Sequence, residues 1–167
     1  MGSCVIYVLL KEHSLNDQTL RDAQGYAINH KLPLAVVTCL NIDQNDLKTN
    51  QKALHSLKST ENQLKQYNIP FMMLLGDSYD RLQGVFYHLK PKAVFFDNDT
   101  ADVPKKLLSM LINNADFKVM AINLAKTTNI NNIKLQKHPY TWQGPIITLN
   151  QLIDLLQKAH DTSQPIC

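Results

Sequence analysis

Nine of the 14 acidic residues fall into four short stretches: Glu12 and Asp17, Asp43 and Asp46, Asp77 and Asp80, and Asp97, Asp99 and Asp102. Each stretch follows an apolar run, so a fold that aligns those runs gathers the carboxylates along one edge. Carboxylates accept hydrogen bonds and repel anions. Such an edge suits a planar, neutral or hydrogen-bond-donating ligand, whereas a bare phosphate would need Mg²⁺ between itself and the protein. The competing role is structural, because aspartate is favoured at helix N-termini. Gly76-Asp77-Ser78 has both readings, as a tight turn with a helix cap or as one wall of a pocket.

Other chemistries find no support at these positions. No G-x-x-x-x-G-K-[ST] or G-x-G-x-x-G stretch cradles a phosphate, and no G-x-S-x-G elbow presents a serine. Five glycines in the whole chain are too few for a glycine-rich loop. His13 is the one histidine among the acidic stretches and has no companion at metal-ligand spacing, so no metal site is expected. No Ser/His/Asp or Cys/His arrangement can be assembled, and no catalytic residue is assigned. Lys126, Lys134 and Lys137 form a later basic stretch that reads as a solvated loop.

The elements that must position these residues are legible as periodicity. Five continuous apolar runs, Cys4–Leu10, Leu34–Leu40, Pro70–Leu75, Ala93–Phe96 and Phe117–Ile122, have the character of parallel strands covered on both faces. Between them, helical spacing appears in Asn16–Lys31 (Leu20, Ala23, Ala27, Ile28), Asn45–Tyr67 (Leu47, Leu54, Leu57, Leu64), Ser78–Leu89 and Val103–Asn113. Asn16 or Asp17 caps the first helix. This alternation predicts one α/β domain with a doubly wound parallel sheet and right-handed crossovers. The core spans 4–123, a segment of low periodicity (124–147) crosses the surface, and a helix over 148–160, capped by Thr148, closes the domain.

In open sheets of this kind ligands bind beyond the carboxyl ends of the strands, where strand order reverses. The candidate ligand-binding residues are therefore Lys11, Glu12, Cys39, Gly76, Asp77 and Asp97, around a crevice between the first and fourth strands.

Composition narrows the setting. A length of 167 residues with 44% hydrophobic and 19% charged side chains fits a single globular domain. No apolar run approaches a membrane span, and the N-terminus reads as a strand rather than a signal peptide. Three sparse cysteines, Cys4, Cys39 and Cys167, suit a reducing cytoplasm better than a disulfide framework. The net charge of +3 includes only two arginines, Arg21 and Arg81, so direct nucleic-acid binding is expected to be weak or absent.

The sequence also resembles a known family. Val5-Ile6-Tyr7, Lys11-Glu12-His13-Ser14-Leu15 and Asp17-Gln18 look like the opening of a DNA photolyase. Leu32-Pro33-Leu34-Ala35-Val36-Val37-Thr38-Cys39-Leu40 resembles the second strand of class II photolyases. Ile69-Pro70-Phe71 through Leu74-Leu75-Gly76-Asp77 resembles their third strand and its turn. Val94-Phe95-Phe96-Asp97 and Val119-Met120-Ala121-Ile122-Asn123 resemble the fourth and fifth. The resemblance implies a Rossmann-like, five-stranded parallel sheet in the order 3-2-1-4-5 with helices on both faces. It further implies relation to light-dependent DNA repair and, in this domain, a planar antenna chromophore.

Departures limit what carries over. Lys11 and Ser14 stand where the family has arginines, and Asn98-Asp99-Thr100-Ala101-Asp102 replaces an expected proline–leucine–arginine. The helical domain that binds FAD in photolyases has no counterpart in this sequence, which contains one tryptophan, Trp142. The chain is therefore expected to bind no FAD and to repair no DNA alone, acting as a stand-alone or truncated binding or accessory module. Its expected partner is a separate helical FAD-binding chain or another protein. The alternatives are a nucleotide-binding module like the stress proteins and a degenerate protein-interaction domain.

Overall fold

The computed structural model describes residues 4–9, 15–40, 47–75, 79–97, 118–122, 135–144, 146, 148–151 and 154. Its elements are β1 (Val5–Leu9), α1 (Asp17–Asn29), β2 (Leu34–Leu40), α2 (Leu47–Lys65), β3 (Phe71–Leu75), α3 (Tyr79–Leu89), β4 (Ala93–Asp97) and β5 (Lys118–Ile122). The helix expected over Val103–Asn113 lies outside the described residues.

The strands β3-β2-β1-β4 lie in that order and all pair in parallel, with Val5 opposite Leu34 on one side and Ala93 on the other. The backbone of β5 runs beside β4 in parallel register. The chain winds outward from β1 through β2 to β3, then returns across β1 to reach β4. Right-handed crossovers in opposite directions must use opposite faces of the sheet.

The core records that reversal as two layers. Val5, Tyr7, Leu34, Val36, Phe71, Met73 and Phe95 pack with Leu20, Ala23 and Ala27 of α1 and Leu57 and Leu64 of α2. Ile6, Val8, Ala35, Val37, Met72, Val94 and Phe96 pack with Leu82 and Phe86 of α3 and with Trp142. Alternate strand residues feed opposite layers, and both layers are apolar, which is why the runs read as continuous rather than alternating. Of the helical stripes expected from spacing, Leu20, Ala23, Ala27, Leu57 and Leu64 are at most 1% exposed, while Ile28 and Leu54 are partly buried.

The late segment wraps the amino edge of the sheet. Gln24, fully buried in α1, donates from Nε2 to the Gln136 carbonyl at 2.8 Å. The His138 amide donates to the Tyr67 carbonyl at 2.6 Å, and its ring Nε2 lies 3.1 Å from the Leu32 carbonyl. Trp142 then covers the α3 layer. Gly144 is required there, since a Cβ would sit 2.3 Å from the indole Cζ2. Thr148 and Gln151 exchange side-chain-to-backbone bonds of 3.0 and 3.2 Å, a capping box at the start of the helical stretch 149–151, and most of the helix expected over 148–160 lies outside the described residues. Leu149 returns to the α1/α2 layer, its amide donating to Glu61 Oε2 at 3.3 Å. Among the described residues no helix is long and apolar enough to cross a membrane.

Candidate functional site

The candidate site lies at the carboxyl ends of β1 and β4, which adjoin in the sheet. Asp97 ends β4 on the α1 side of the sheet and is half-buried. Its Oδ2 accepts a 2.9 Å hydrogen bond from the phenol of Tyr7, a residue with no exposed surface. Its Oδ1 accepts from the Thr19 hydroxyl. The Tyr7 oxygen in turn accepts the Asn16 amide at 3.1 Å. One carboxylate thus joins β4, β1 and the start of α1.

The local sequence explains the arrangement. Asn16 takes an extended backbone (φ −100°, ψ 121°) and caps α1, its Oδ1 accepting the Thr19 amide at 3.1 Å. A phenol buried in an apolar layer must find a polar partner, and β4 supplies one because Tyr7 pairs with Phe95, two residues before Asp97. β4 runs one residue beyond the end expected from hydrophobicity, with Asp97 pairing with Ile122 of β5. Burial, then the negative charge of Asp97, pushes the Tyr7 phenol well above its ordinary range, so it remains a protonated donor.

Electrostatically, this helix start is occupied. Free amides at a helix N-terminus attract anions, but here the Asn16 amide goes to Tyr7, the Thr19 amide goes to the cap, and Asp97 lies against Thr19. A phosphate approaching this point would meet a carboxylate where other folds offer open donors. Asp97 is held by these bonds while part of the residue stays open to solvent.

Of the residues expected at the site from sequence, Cys39 and Asp97 are described; Lys11, Glu12, Gly76 and Asp77 lie outside the described residues, as do His13, Lys126 and Lys134. Cys39 and Asp97 stand on opposite faces. Cys39 packs against the α3 layer, whereas Asp97 bonds to Tyr7 in the α1 layer. Burial pushes the Cys39 thiol above its ordinary range, which removes it as a thiolate nucleophile at neutral pH. Tyr7 and Thr19 were not singled out from sequence, and Asn16 was expected only as a cap of the first helix, which it is. The available signal was a lone tyrosine in an otherwise apolar, doubly covered strand. Among the described residues no group of three metal-binding side chains forms.

These features define a class: an α/β domain whose parallel sheet reverses strand order at β1. No protein-family model matches the chain, and no curated protein matches it. Similar solved structures include a photolyase and universal stress proteins. A class III photolyase from Agrobacterium tumefaciens superimposes with a TM-score of 0.55 at 18% identity, covering 74% of this chain and 26% of the photolyase. A universal stress protein from Archaeoglobus fulgidus superimposes with a TM-score of 0.51 at 16% identity, covering 71% of this chain and 98% of that protein. A structure of the universal stress protein from the same organism in complex with dAMP gives 0.51 at 16% identity, covering 73% and 99%. At these identities the likeness is one of fold.

Proposed function

We propose that this chain is a ligand-binding α/β module of the photolyase N-terminal type, built on a five-stranded, doubly wound sheet of order 3-2-1-4-5. Its ligand is a planar, hydrogen-bond-donating ring held at the carboxyl edge between β1 and β4. The observation that carries this reading is the half-buried Asp97 carboxylate, fixed by Tyr7 and Thr19 against the start of α1. An acceptor held that rigidly favours N–H or O–H edges of a ring and disfavours an unchelated phosphate. Lys11, Glu12, Gly76 and Asp77 follow β1 and β3 in the chain and complete the proposed rim, with Cys39 at the end of β2. In this reading the module carries an antenna-like pigment and serves a separate helical FAD-binding chain in DNA repair in the cytoplasm, without catalysis of its own.

A second reading is favoured by a separate observation. The stress-protein likeness spans 98% of that protein's length, and one such structure holds dAMP. An adenine-nucleotide module therefore remains the competitor.

The deciding measurement is an absorption spectrum of freshly purified protein, followed by calorimetric titration with lumichrome and with magnesium-free ATP. The proposal expects visible or near-ultraviolet pigment absorption or lumichrome binding, weakened by Asp97→Lys and by the near-isosteric Asp97→Asn. Micromolar affinity for magnesium-free ATP would overturn it in favour of the nucleotide reading. Absence of binding to either probe, with an empty spectrum, would reject both.

A further inference from the structure

Because the strands are parallel, every one enters the sheet from the same edge, and each connecting helix delivers its C-terminus there. Four described stretches meet at this amino edge: 29–33, 65–70, 89–92 and 135–144. Together they hold Lys31, Lys65, Lys90, Lys92 and Lys137 and contain no aspartate or glutamate. All five lysines are exposed. Helix C-termini favour cations, which accounts for Lys31, Lys65 and Lys90. It does not account for Lys92, whose amide donates to the Cys4 carbonyl, or for Lys137 on the crossing segment. Among the described residues, lysines gather on this edge, while Asp97 ends β4 at the other.

Lys65 and Lys137 line an open groove of about 660 Å³ whose other walls include Ile69, Pro70, Pro139 and Ile146. Ile146 is 46% exposed, one of two large hydrophobic side chains left so open among the described residues. Apolar surface at such a position gains roughly 25 cal/mol per Å² when covered. Two cations beside apolar walls fit a partner that offers carboxylates and aliphatic groups in alternation. They fit a nucleic acid less well. Single strands are held by stacking on open aromatic faces, but the Trp142 indole is covered by Gly144, and Tyr140 packs edge-on to His138 at 5.7 Å. No arginine stands in the four stretches to grip phosphate in a bidentate fashion.

We propose that the amino edge is a docking surface for an acidic peptide segment of a partner protein, seated in the groove between Lys65 and Lys137 with its apolar side chains against Pro139 and Ile146. The site is remote from the carboxyl edge and independent of what binds there. Its affinity is electrostatic in part and falls as salt rises.

Fluorescence anisotropy on the full chain at low salt tests this, with a labelled peptide of alternating glutamates and leucines. Binding is expected, and K65E/K137E should weaken it about tenfold, in line with charge reversal across an interface. The double variant K52E/K58E changes net charge equally on exposed positions of α2 away from the groove and should leave binding within about twofold. Circular dichroism verifies that both variants fold. Equal loss in both variants would reduce the effect to net charge and overturn the proposal. So would tighter binding of a labelled single-stranded oligonucleotide, equal binding of a glutamate-only peptide, or no binding of the alternating peptide.

Discussion

Tyr7 has no exposed surface, yet its hydroxyl serves two elements at once, donating to Asp97 and accepting from Asn16. Replacing it with phenylalanine keeps the ring packing but strips a partner from both. Tyr7→Phe should therefore cost about 1–3 kcal/mol, the usual penalty for stranding buried polar groups. Asn16→Ala, which removes the cap, should cost about 1 kcal/mol. Because both act on one network, the double variant should lose measurably less than the two losses added together. Urea denaturation reads all three, and strict additivity would show that the cap and the Tyr7–Asp97 bond are independent. Asp97 itself was identifiable in the sequence as an acid at the end of an apolar run. Its partner Tyr7 was not, because 90 residues separate them and a strand tyrosine looks like any other large core residue.

Helices α1, α2 and α3 end in a shared way. Lys31, Asn68 and Lys90, just beyond α1, α2 and α3, have φ of 56°, 56° and 48°, the left-handed conformation that commonly terminates helices. A side chain there costs roughly 1–2 kcal/mol, less for asparagine. Lys31→Gly and Lys90→Gly should each stabilise the fold by up to about 1 kcal/mol, with Asn68→Gly gaining only a few tenths. The converse case is Gly84 within α3, where an added Cβ meets nothing within 4 Å. Gly84→Ala should add about 0.5–1 kcal/mol by reducing the entropy lost on folding. Thermal melts distinguish these outcomes, and a lower melting temperature for Lys31→Gly would contradict the backbone argument. Helix stripes were readable because spacing alone fixes which residues share a face. The left-handed ends were not, since lysine carries no signal for that conformation.

At the level of the domain, the segment over 135–144 holds the amino edge together, and His138 is its central fastening. The ring is 4% exposed. Its Nε2 points to the Leu32 carbonyl, while Nδ1 has no hydrogen-bond partner. Burial lowers the His138 pKa below the ordinary 6.5, so the unfolded chain takes up a proton before the folded one does. Stability should accordingly be intact above about pH 6.5 and should fall as pH drops through that value toward the lower folded-state pKa. His138→Gln retains an N–H for the Leu32 carbonyl and does not titrate. Its melting temperature should decline less than that of the wild type between about pH 7.5 and 5.5, and identical declines would remove His138 as the cause.

The apolar runs determined the parallel strands by themselves, because only a doubly covered strand needs hydrophobic residues at every position. Their alternation with helical stripes determined the crossovers, and hence the shared edge at which the strands end. Tertiary packing decided the rest. It set Cys39 and Asp97 on opposite faces, a matter of strand parity relative to two separate layers. It joined Asp97 to Tyr7 through β1–β4 pairing, and it laid the late segment across the amino edge. Those outcomes depend on contacts between residues far apart in the chain, where local spacing carries no information.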